Sequence, residues 1–512
     1  MSRNRKDFKT YYRYDGSGRI IPGSNILKKG YAPEEGKWQQ ADAYECCNPL
    51  NPLGTLYWVT DRYAEVAGEG VIENIVQSVI DSEGNTYRVS YYSLSGEPVG
   101  IAITILKQDA NGNELWEVTF YSNREFFSIR DAGLMILETG NLAFGGIWEG
   151  EGSFGLDTFI LSPEDGGVLS TLPASVAPIL PGAVGIDQMY LRGFTQGEGP
   201  EVFRAQLAIE DVNGDQYTHV ISFDLGDPFV TRSLRVSYSP TVFNNQSWYG
   251  PQGKILSYGG DGEYYFVVNG ETPGGDFGGV MTYLRFNGAS DPVRINSYYV
   301  DTSADTSDGD IMYASNYRDG SGDGWINAIH YDSKVTKWAE NQGDGVSWRV
   351  GFNIDGETSF NPIGIANDSL GNVFVALIIP DPQENIGFIK LSSDGVLDWA
   401  VKITLTLEDF NQNELRNGVT ISGEQLSIVS QGSGAPFDSG SAFKLGTSVK
   451  PTAGTYGNYV VSDINILIGV YPNPTLVNVT PNSTNIAVND TNPIILSAGE
   501  NSPIGFTVTN LQ

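Results

Sequence analysis

The sequence has few of the residues that most catalytic and metal sites require. Its 512 residues include two histidines, two cysteines and five methionines. A Ser-His-Asp triad or a zinc site needs imidazole in a fixed network, so His219 and His330 alone make either hard to assemble. Both histidines lie in strand-like segments, where packing in a sheet is the simpler interpretation. Cys46 and Cys47 are adjacent and could pair only with strain, so no disulfide framework is expected.

Long apolar runs and positive charge are also scarce. No run of 18 apolar residues occurs, and no apolar stretch follows the start MSRNRKDFKTYYRYDG, so we expect neither a membrane anchor nor a secretion signal. The net charge of −31 disfavours nucleic acid as a partner. Residues 1–40 are the exception, because nine cations and four acids give them a net charge of +5, which leaves −36 for residues 41–512. The two ends are therefore predicted to have different partners.

Glycine and aromatic residues are abundant, with 62 Gly, 27 Tyr, 23 Phe and 9 Trp. This composition favours short strands joined by tight turns. Two stretches are copies of one unit. DSEGNTY (residues 81–87) recurs as DSLGNVF (368–374). The motif that follows it in the first unit, KQDANGNELW (107–116), recurs in the second unit as KLSSDGVLDW (390–399). Each unit is two hairpins in series.

Weaker copies extend this unit into a repeat. Turns of the first hairpin are expected at seven glycines, which are Gly84, Gly140, Gly185, Gly262, Gly309, Gly371 and Gly423. Seven four-stranded units of about 50 residues would bury their faces by closing into a ring. We therefore predict an all-β fold with a seven-bladed β-propeller, and the alternative is a set of unrelated hairpins in a sandwich or β-helix. The strand-like segment 56–66 is expected to complete the last blade.

The composition divides the chain into three parts. Residues 1–55 are predicted to form a small N-terminal β module, residues 56–465 the propeller, and residues 466–512 an extended C-terminal β tail. The tail is rich in Asn, Thr and Pro and nearly uncharged, which suits strands that lie on another surface. Within it, YPNP (471–474) resembles the start of some bacterial secretion-sorting domains, but the expected absence of a signal peptide argues against that role.

The first fifty residues carry a series of short motifs, at Tyr14 to Arg19, Pro22 to Ser24, Gly36 to Trp38 and Tyr44 to Asn48. In that order they resemble the N-terminal module of virion structural proteins in marine and cyanobacterial tailed phages, over about a tenth of the chain. The resemblance implies docking of a variable distal domain to the particle, with contacts from Arg13, Tyr14, Arg19, Lys37, Trp38 and Tyr44. The acidic segment 32–35 departs from the expected basic pattern. From the residues alone, packing of 1–55 beneath the propeller is an equal alternative.

Several other patterns are candidates for chemistry. SSDGVLDW (392–399) approximates the Ser-x-Asp-x-Gly-x-x-Trp turn of sialidases but lacks one residue of its spacing. Oxygen ligands alternate at 211–215 and at 319–323 as in calcium loops, yet neither loop has a closing Glu and ordinary Asx turns explain them better. Aromatic and amide side chains that suit glycan contact occur together at Asn244, Asn245, Trp248 and Tyr249.

These patterns predict a non-catalytic virion structural protein, assembled in the host cytoplasm, that attaches through residues 1–55. Other virion proteins are its expected partners, in a multi-copy arrangement, and the propeller is a candidate for contact with a host surface glycan. We expect no cofactor, and calcium is the one metal that the pattern allows. The alternative is a glycan-binding or glycan-cleaving propeller, sialidase-like or a depolymerase.

Overall fold

The computed structural model describes the chain mostly as β-strands and the turns between them. It covers residues 8–13, 26–29, 38–40, 56–64, 72–93, 101–122, 128–150, 153–175, 186–197, 199–213, 216–225, 232–237, 245–246, 263–271, 277–286, 292–301, 311–319, 321, 323–330, 333–339, 345–354, 360–381, 383–405, 419–422, 425–431, 439–446, 449–456, 459–479, 482–487, 496–499 and 506–510. Over these ranges there is no helix, and so none that is long and apolar enough to span a membrane. The all-β prediction is confirmed.

The first three strands form a small antiparallel sheet of their own. They are β1 (Phe8–Arg13), β2 (Ile26–Lys29) and β3 (Trp38–Gln40), in the order β2-β1-β3. No ladder joins this sheet to another among the described strands.

Six sheets of four consecutive strands follow, each an antiparallel meander. The first sheet is β5 (Ile72–Ile80), β6 (Thr86–Ser93), β7 (Ile101–Gln108) and β8 (Glu114–Ser122); the second is β9 (Ser128–Ile136), β10 (Leu142–Gly150), β11 (Ser153–Leu161) and β12 (Val168–Ser175); the third is β13 (Ile186–Gln196), β14 (Val202–Asp211), β15 (Gln216–Asp224) and β16 (Arg232–Ser237). The fourth is β17 (Asn245–Gln246), β18 (Glu263–Glu271), β19 (Phe277–Phe286) and β20 (Pro292–Asp301); the fifth is β21 (Ile311–Arg318), β22 (Gly324–His330), β23 (Lys334–Ala339) and β24 (Val346–Ile354); the sixth is β25 (Asn361–Asn367), β26 (Val373–Asp381), β27 (Gln383–Leu391) and β28 (Leu397–Leu405).

A further sheet joins distant parts of the chain and is called the closing sheet below. It consists of β29 (Val419–Ser422), β30 (Gln425–Gln431), β31 (Ser439–Gly446) and β4 (Leu56–Ala64). Strand β4 pairs with β31, with Val59 opposite Phe443. The predicted pairing of this segment with the last hairpin of the chain's repeats is therefore confirmed for residues 56–64.

The sheets pack face to face, as in a β-propeller. One core cluster lies between the first and second sheets, another between the second and third, another between the fifth and sixth, and the last joins the sixth sheet to Leu426 of the closing sheet. The propeller prediction is thus confirmed in its coarser form. Extensive side-chain packing is described for five sheets, the first, second, third, fifth and sixth, so the structure supports five blades and the predicted count of seven is not supported.

Some of the predicted turns are wrong. Gly84, Gly140 and Gly371 lie in first-hairpin turns with positive φ, as expected. The first hairpins of the third and fifth sheets instead turn between Gln196 and Val202 and between Arg318 and Gly324. Gly185 and Gly309, which lie outside the described residues, are therefore not at these turns. The prediction failed because a Gly near an acid or Asn does not by itself distinguish a turn inside a hairpin from the loop that precedes a strand.

The C-terminal strands add to the outer edges of the propeller sheets, and we call strands β33 to β38 the belt. They are β33 (Tyr459–Asp463), β34 (Ile466–Val470), β35 (Thr475–Val479), β36 (Asn482–Ala487), β37 (Leu496–Gly499) and β38 (Phe506–Asn510), preceded by β32 (Gly454–Tyr456), which pairs with β33. They pair antiparallel with the sixth, fifth, fourth, third, first and closing sheets, in that order. The belt therefore follows the ring in the direction opposite to the blades.

Candidate functional site

Most residues of the two predicted binding sites lie outside the described residues. Of the docking set, Arg13 ends β1 and lies opposite Trp38 of β3, while Tyr14, Arg19, Lys37 and Tyr44 are not described. Of the glycan set, Asn245 lies opposite Glu271 in the fourth sheet, while Asn244, Trp248 and Tyr249 are not described. Both sites remain predictions.

The described residues contain a different candidate, a cavity of about 480 Å³ between the first and second sheets. It opens where the hairpin turns of both sheets end. Its polar lining is Asp81, Ser82, Glu83, Asn85, Tyr87, Lys107, Glu138 and Glu164, and Ile80, Ile136, Leu137, Gly140 and Pro163 complete it. We call it the turn cavity.

The wall on the side of the first sheet is an Asx turn. Asp81 Oδ1 accepts hydrogen bonds from the backbone N–H of Glu83 at 2.9 Å and of Asn85 at 2.8 Å. Its Oδ2 accepts from Asn85 Nδ2 at 2.8 Å and from the Tyr87 hydroxyl at 3.1 Å. The Asp-x-x-Gly-Asn order produces this turn because the Asp side chain satisfies backbone donors where Gly takes a positive φ. Asp81 thus holds the turn and is poorly placed to transfer protons.

The opposite wall is a junction between sheets. Lys107 Nζ donates to the Pro163 carbonyl oxygen at 2.7 Å, and Trp116 Nε1 donates to the same oxygen at 3.0 Å. The fifth and sixth sheets repeat this arrangement, since Lys337 Nζ and Trp348 Nε1 donate to the Ser393 carbonyl oxygen at 2.8 and 3.0 Å. We call each such pair of donors a carbonyl clamp.

Tyr87 forms the floor of the turn cavity between these walls. The Lys107 ammonium lies 5.2 Å from the centroid of its ring, and Trp116 packs beside it. Burial first, and then the charge and hydrogen bond of Asp81, raise the pKa of the Tyr87 hydroxyl well above its ordinary value. Tyr87 therefore remains a neutral hydrogen-bond donor at physiological pH.

The mouth of the turn cavity is acidic. Glu83, Glu138 and Glu164 are exposed there, and Glu164 Oε2 accepts a hydrogen bond from the Ser162 hydroxyl at 2.9 Å. Carboxylate and amide groups next to an aromatic ring are suited to a polyhydroxylated ligand such as a sugar. The sequence contained the Asp81 turn as a repeat signature, but the cavity depends on which sheet packs against it.

The predicted calcium loops are occupied by turn hydrogen bonds where they are described. Asp319 Oδ1 accepts from the backbone N–H groups of Ser321 and Asp323 and from the Ser321 hydroxyl, and its Oδ2 accepts from Trp325 Nε1 at 3.0 Å. These bonds, with that of Trp325 the largest, lower the pKa of Asp319 to about 2. In the other loop Asp211 Oδ1 accepts from the Asn213 N–H. Over the described ranges no three His, Cys, Asp or Glu side chains form a metal-binding group.

The two histidines lie in strands, as expected. His219 is in β15 and His330 in β22, and both are fully buried. His330 Nε2 lies 3.0 Å from Thr336 Oγ1 on the adjacent strand.

No family model matches the chain, and no curated protein matches it. Among solved structures it is similar to a protein of unknown function from Dyadobacter fermentans (11% identity, 75% of this chain and 98% of that one, TM-score 0.37). It is also similar to the WD40 domain of SCAP from fission yeast (9% identity, 74% and 96%, TM-score 0.35) and to a GH43 glycoside hydrolase (10% identity, 77% and 85%, TM-score 0.27). Likenesses this low carry no argument about function, and the assignment to the propeller class rests on sheet order and packing.

Proposed function

We propose that this protein is a non-catalytic structural component of a tailed-phage virion. Residues 1–55 attach it to the particle, and the propeller is displayed outward as a spacer or host-contacting head. The observation that carries the proposal is the separate sheet β2-β1-β3, which shares no ladder with the propeller among the described strands. It coincides with the segment whose motifs resemble the docking module of phage virion proteins.

The distribution of charge also supports attachment through the N-terminal segment and display of the propeller. Residues 1–40 carry +5 and residues 41–512 carry −36, so the N-terminal sheet is suited to an acidic neighbour that would repel the propeller. Two surfaces of opposite sign on one chain favour one orientation of attachment.

We also propose that the ring has seven blades. The six sheets of consecutive strands and the closing sheet supply seven units of four strands. Contacts between innermost strands run from the third sheet through the second, first, closing and sixth sheets to the fifth. A ring of this kind buries both faces of every sheet, which an open stack leaves exposed at its ends.

Deletion of residues 1–55 tests the docking proposal. The shortened protein is expected to fold, with the β-sheet circular dichroism and thermal midpoint of the full chain, and to be missing from particles assembled in its presence. Antibody labelling of intact virions then reports location. A shortened protein that still enters particles, or a full chain that never does, would overturn the proposal.

A glycan-binding propeller is the second candidate, favoured by the turn cavity. Tyr87, Asn85 and the exposed Glu83 and Glu138 would contact a sugar there. Incubation with host envelope polysaccharide separates the two functions. If the original chain binds the polysaccharide and the Glu138→Ala variant does not, glycan binding is supported. Release of free sugar would show cleavage and would overturn the non-catalytic role.

A further inference from the structure

The belt pairs with the outer edges of six sheets, and five of its strands then become the new outer edges, because only β33 is followed by a further strand, β32. Strand β34 pairs with β24 through one edge, from Val470 opposite Val350 to Ile466 opposite Ile354. In the sheet order β21-β22-β23-β24-β34 it is the last strand, and its other edge has no ladder among the described strands. An edge of this kind presents backbone N–H and C=O groups to any strand that approaches.

The usual protection of such an edge is absent from β34. Natural edge strands are blunted by charged side chains, especially Lys, or by proline within the strand. The sequence ILIGV of β34 contains neither, and residues 464–489 contain no Asp, Glu, Lys or Arg at all. The rest of the chain carries the entire net charge of −31.

The side chains of β34 add exposed apolar area to this open edge. Ile466 and Ile468 pack against the core between the fifth and sixth sheets. Leu467 and Val470 are 65% and 86% exposed. Two large aliphatic side chains exposed next to an open backbone edge resemble the surface of a strand that lacks its neighbour.

The strand is also held rigidly by the segment that follows it. The Tyr471 N–H donates to the Arg349 carbonyl oxygen at 3.1 Å, and Asn473 Nδ2 donates to the Val346 carbonyl oxygen at 3.1 Å. The Lys334 ammonium lies 4.6 Å from the centroid of the Tyr471 ring. A strand fixed in this way loses little conformational freedom when it pairs, which lowers the entropic cost of association.

We propose that β34 is the contact through which two copies of this chain associate, each β34 pairing antiparallel with the other across a two-fold axis. Charge favours a second copy at this place, since two chains of −31 repel each other least where both surfaces are uncharged. Symmetric pairing about Ile468 sets Ile466 of one copy opposite Val470 of the partner subunit, so the strand is complementary to itself. The chain already fills six outer edges with strands of its own, five of them uncharged, which is the same mode of recognition.

Sedimentation velocity of the full chain tests the proposal. Between about 1 and 100 µM the mass should rise from 55.5 kDa towards twice that value. The variant L467K/V470K introduces the charges that protect natural edges and should raise the dissociation constant at least tenfold. The two added lysines also make the net charge less negative, which weakens the general repulsion between copies and by itself would lower the dissociation constant.

The variant L370K/V396K is the matched control, since it places the same charges at exposed aliphatic positions in turns of the sixth sheet, 75% and 64% exposed. It should associate like the original chain, and both variants should keep the original thermal midpoint. Hydrogen exchange should slow at residues 466–470 on association. The proposal would be overturned by a chain that remains monomeric over the whole concentration range, or by a control variant that dissociates as strongly as L467K/V470K. Neither result would bear on the proposed virion function.

Discussion

Trp116 of the first sheet donates its indole N–H to the carbonyl oxygen of Pro163 in the second, at 3.0 Å. Lys107 donates to the same oxygen, so a single backbone oxygen accepts hydrogen bonds from two side chains of the neighbouring sheet. A second carbonyl clamp at Lys337, Trp348 and Ser393 shows that this is a repeated way of joining sheets.

The carbonyl clamp should contribute measurably to stability. Trp116→Phe removes one donor and is expected to lower the free energy of unfolding by about 1 kcal/mol. The double variant with Lys107→Met leaves the Pro163 oxygen without either donor, so its loss should exceed the sum of the single losses. Urea unfolding checks both expectations. Leu115→Ala, at the exposed neighbour, is the control and should change stability by less than about 0.5 kcal/mol.

The glycines of the clamp turns should not tolerate a side chain. Gly395 has φ of +77° and an added Cβ would lie 2.8 Å from the Trp348 ring. Gly140 has φ of +86° with nothing within 4 Å of such a Cβ. Gly140→Ala should therefore cost only the backbone strain, about 1 to 2 kcal/mol, and Gly395→Ala should cost more. Equal losses in thermal unfolding would show that the contact with Trp348 is unimportant.

The low pKa of Asp319 should depend on Trp325. Its pKa is about 2, against an ordinary value of 3.8, so the ionised form stabilises the fold above about pH 4 and this contribution is lost as the pH falls towards 2. Trp325→Phe removes the hydrogen bond that lowers the pKa most and should raise the pKa of Asp319 towards 3.8, so the pH range over which Asp319 affects stability becomes narrower. The pKa of Asp319 is measured by NMR titration of its carboxyl carbon. Asp165, whose pKa is lowered by Ser162 and Gly167, should titrate unchanged.

Tyr471 should anchor the belt at the fifth sheet. Its ring lies against Gly351 and Gly469 and beneath Lys334. Tyr471→Ala should accelerate hydrogen exchange at residues 466–470 while the first and second sheets keep their protection, and Tyr471→Phe should behave like the original chain. Uniform acceleration across the propeller would mean that the belt does not open separately.

The local parts of the fold could be predicted from sequence, because their determinants are close together in the chain. The turn at 81–85 and its copy at 368–372 follow from one Asp that bonds the backbone two and four residues on. The spacing of Lys107 and Trp116 was part of the predicted repeat, whereas their shared acceptor in another sheet was not predicted. Its copy at Lys390 and Trp399 differs, since Lys390 instead pairs with Asp398 at 2.9 Å.

The non-local parts could not be predicted, because they depend on surfaces that exist only after folding. The segment YPNP (471–474), which resembles the start of a secretion-sorting domain, attaches the belt to β24 through Tyr471 and Asn473. The second clamp has no local sequence signal, because Lys337 and Trp348 are eleven residues apart and their acceptor, Ser393, belongs to another sheet. The turn cavity likewise depends on how two sheets meet.

Strand β38 pairs with β4, so residues 506–510 lie beside residues 60–64. During translation, β4 leaves the ribosome long before either of its neighbours in the closing sheet exists. Blades can form one after another as the chain grows, but the outer strands of six sheets lack their partners until residues 459–510 have been made. Interruption of synthesis before the belt is complete would therefore release propellers whose outer strands are unpaired and prone to aggregate. Chaperone binding to the nascent chain would be most valuable at this stage.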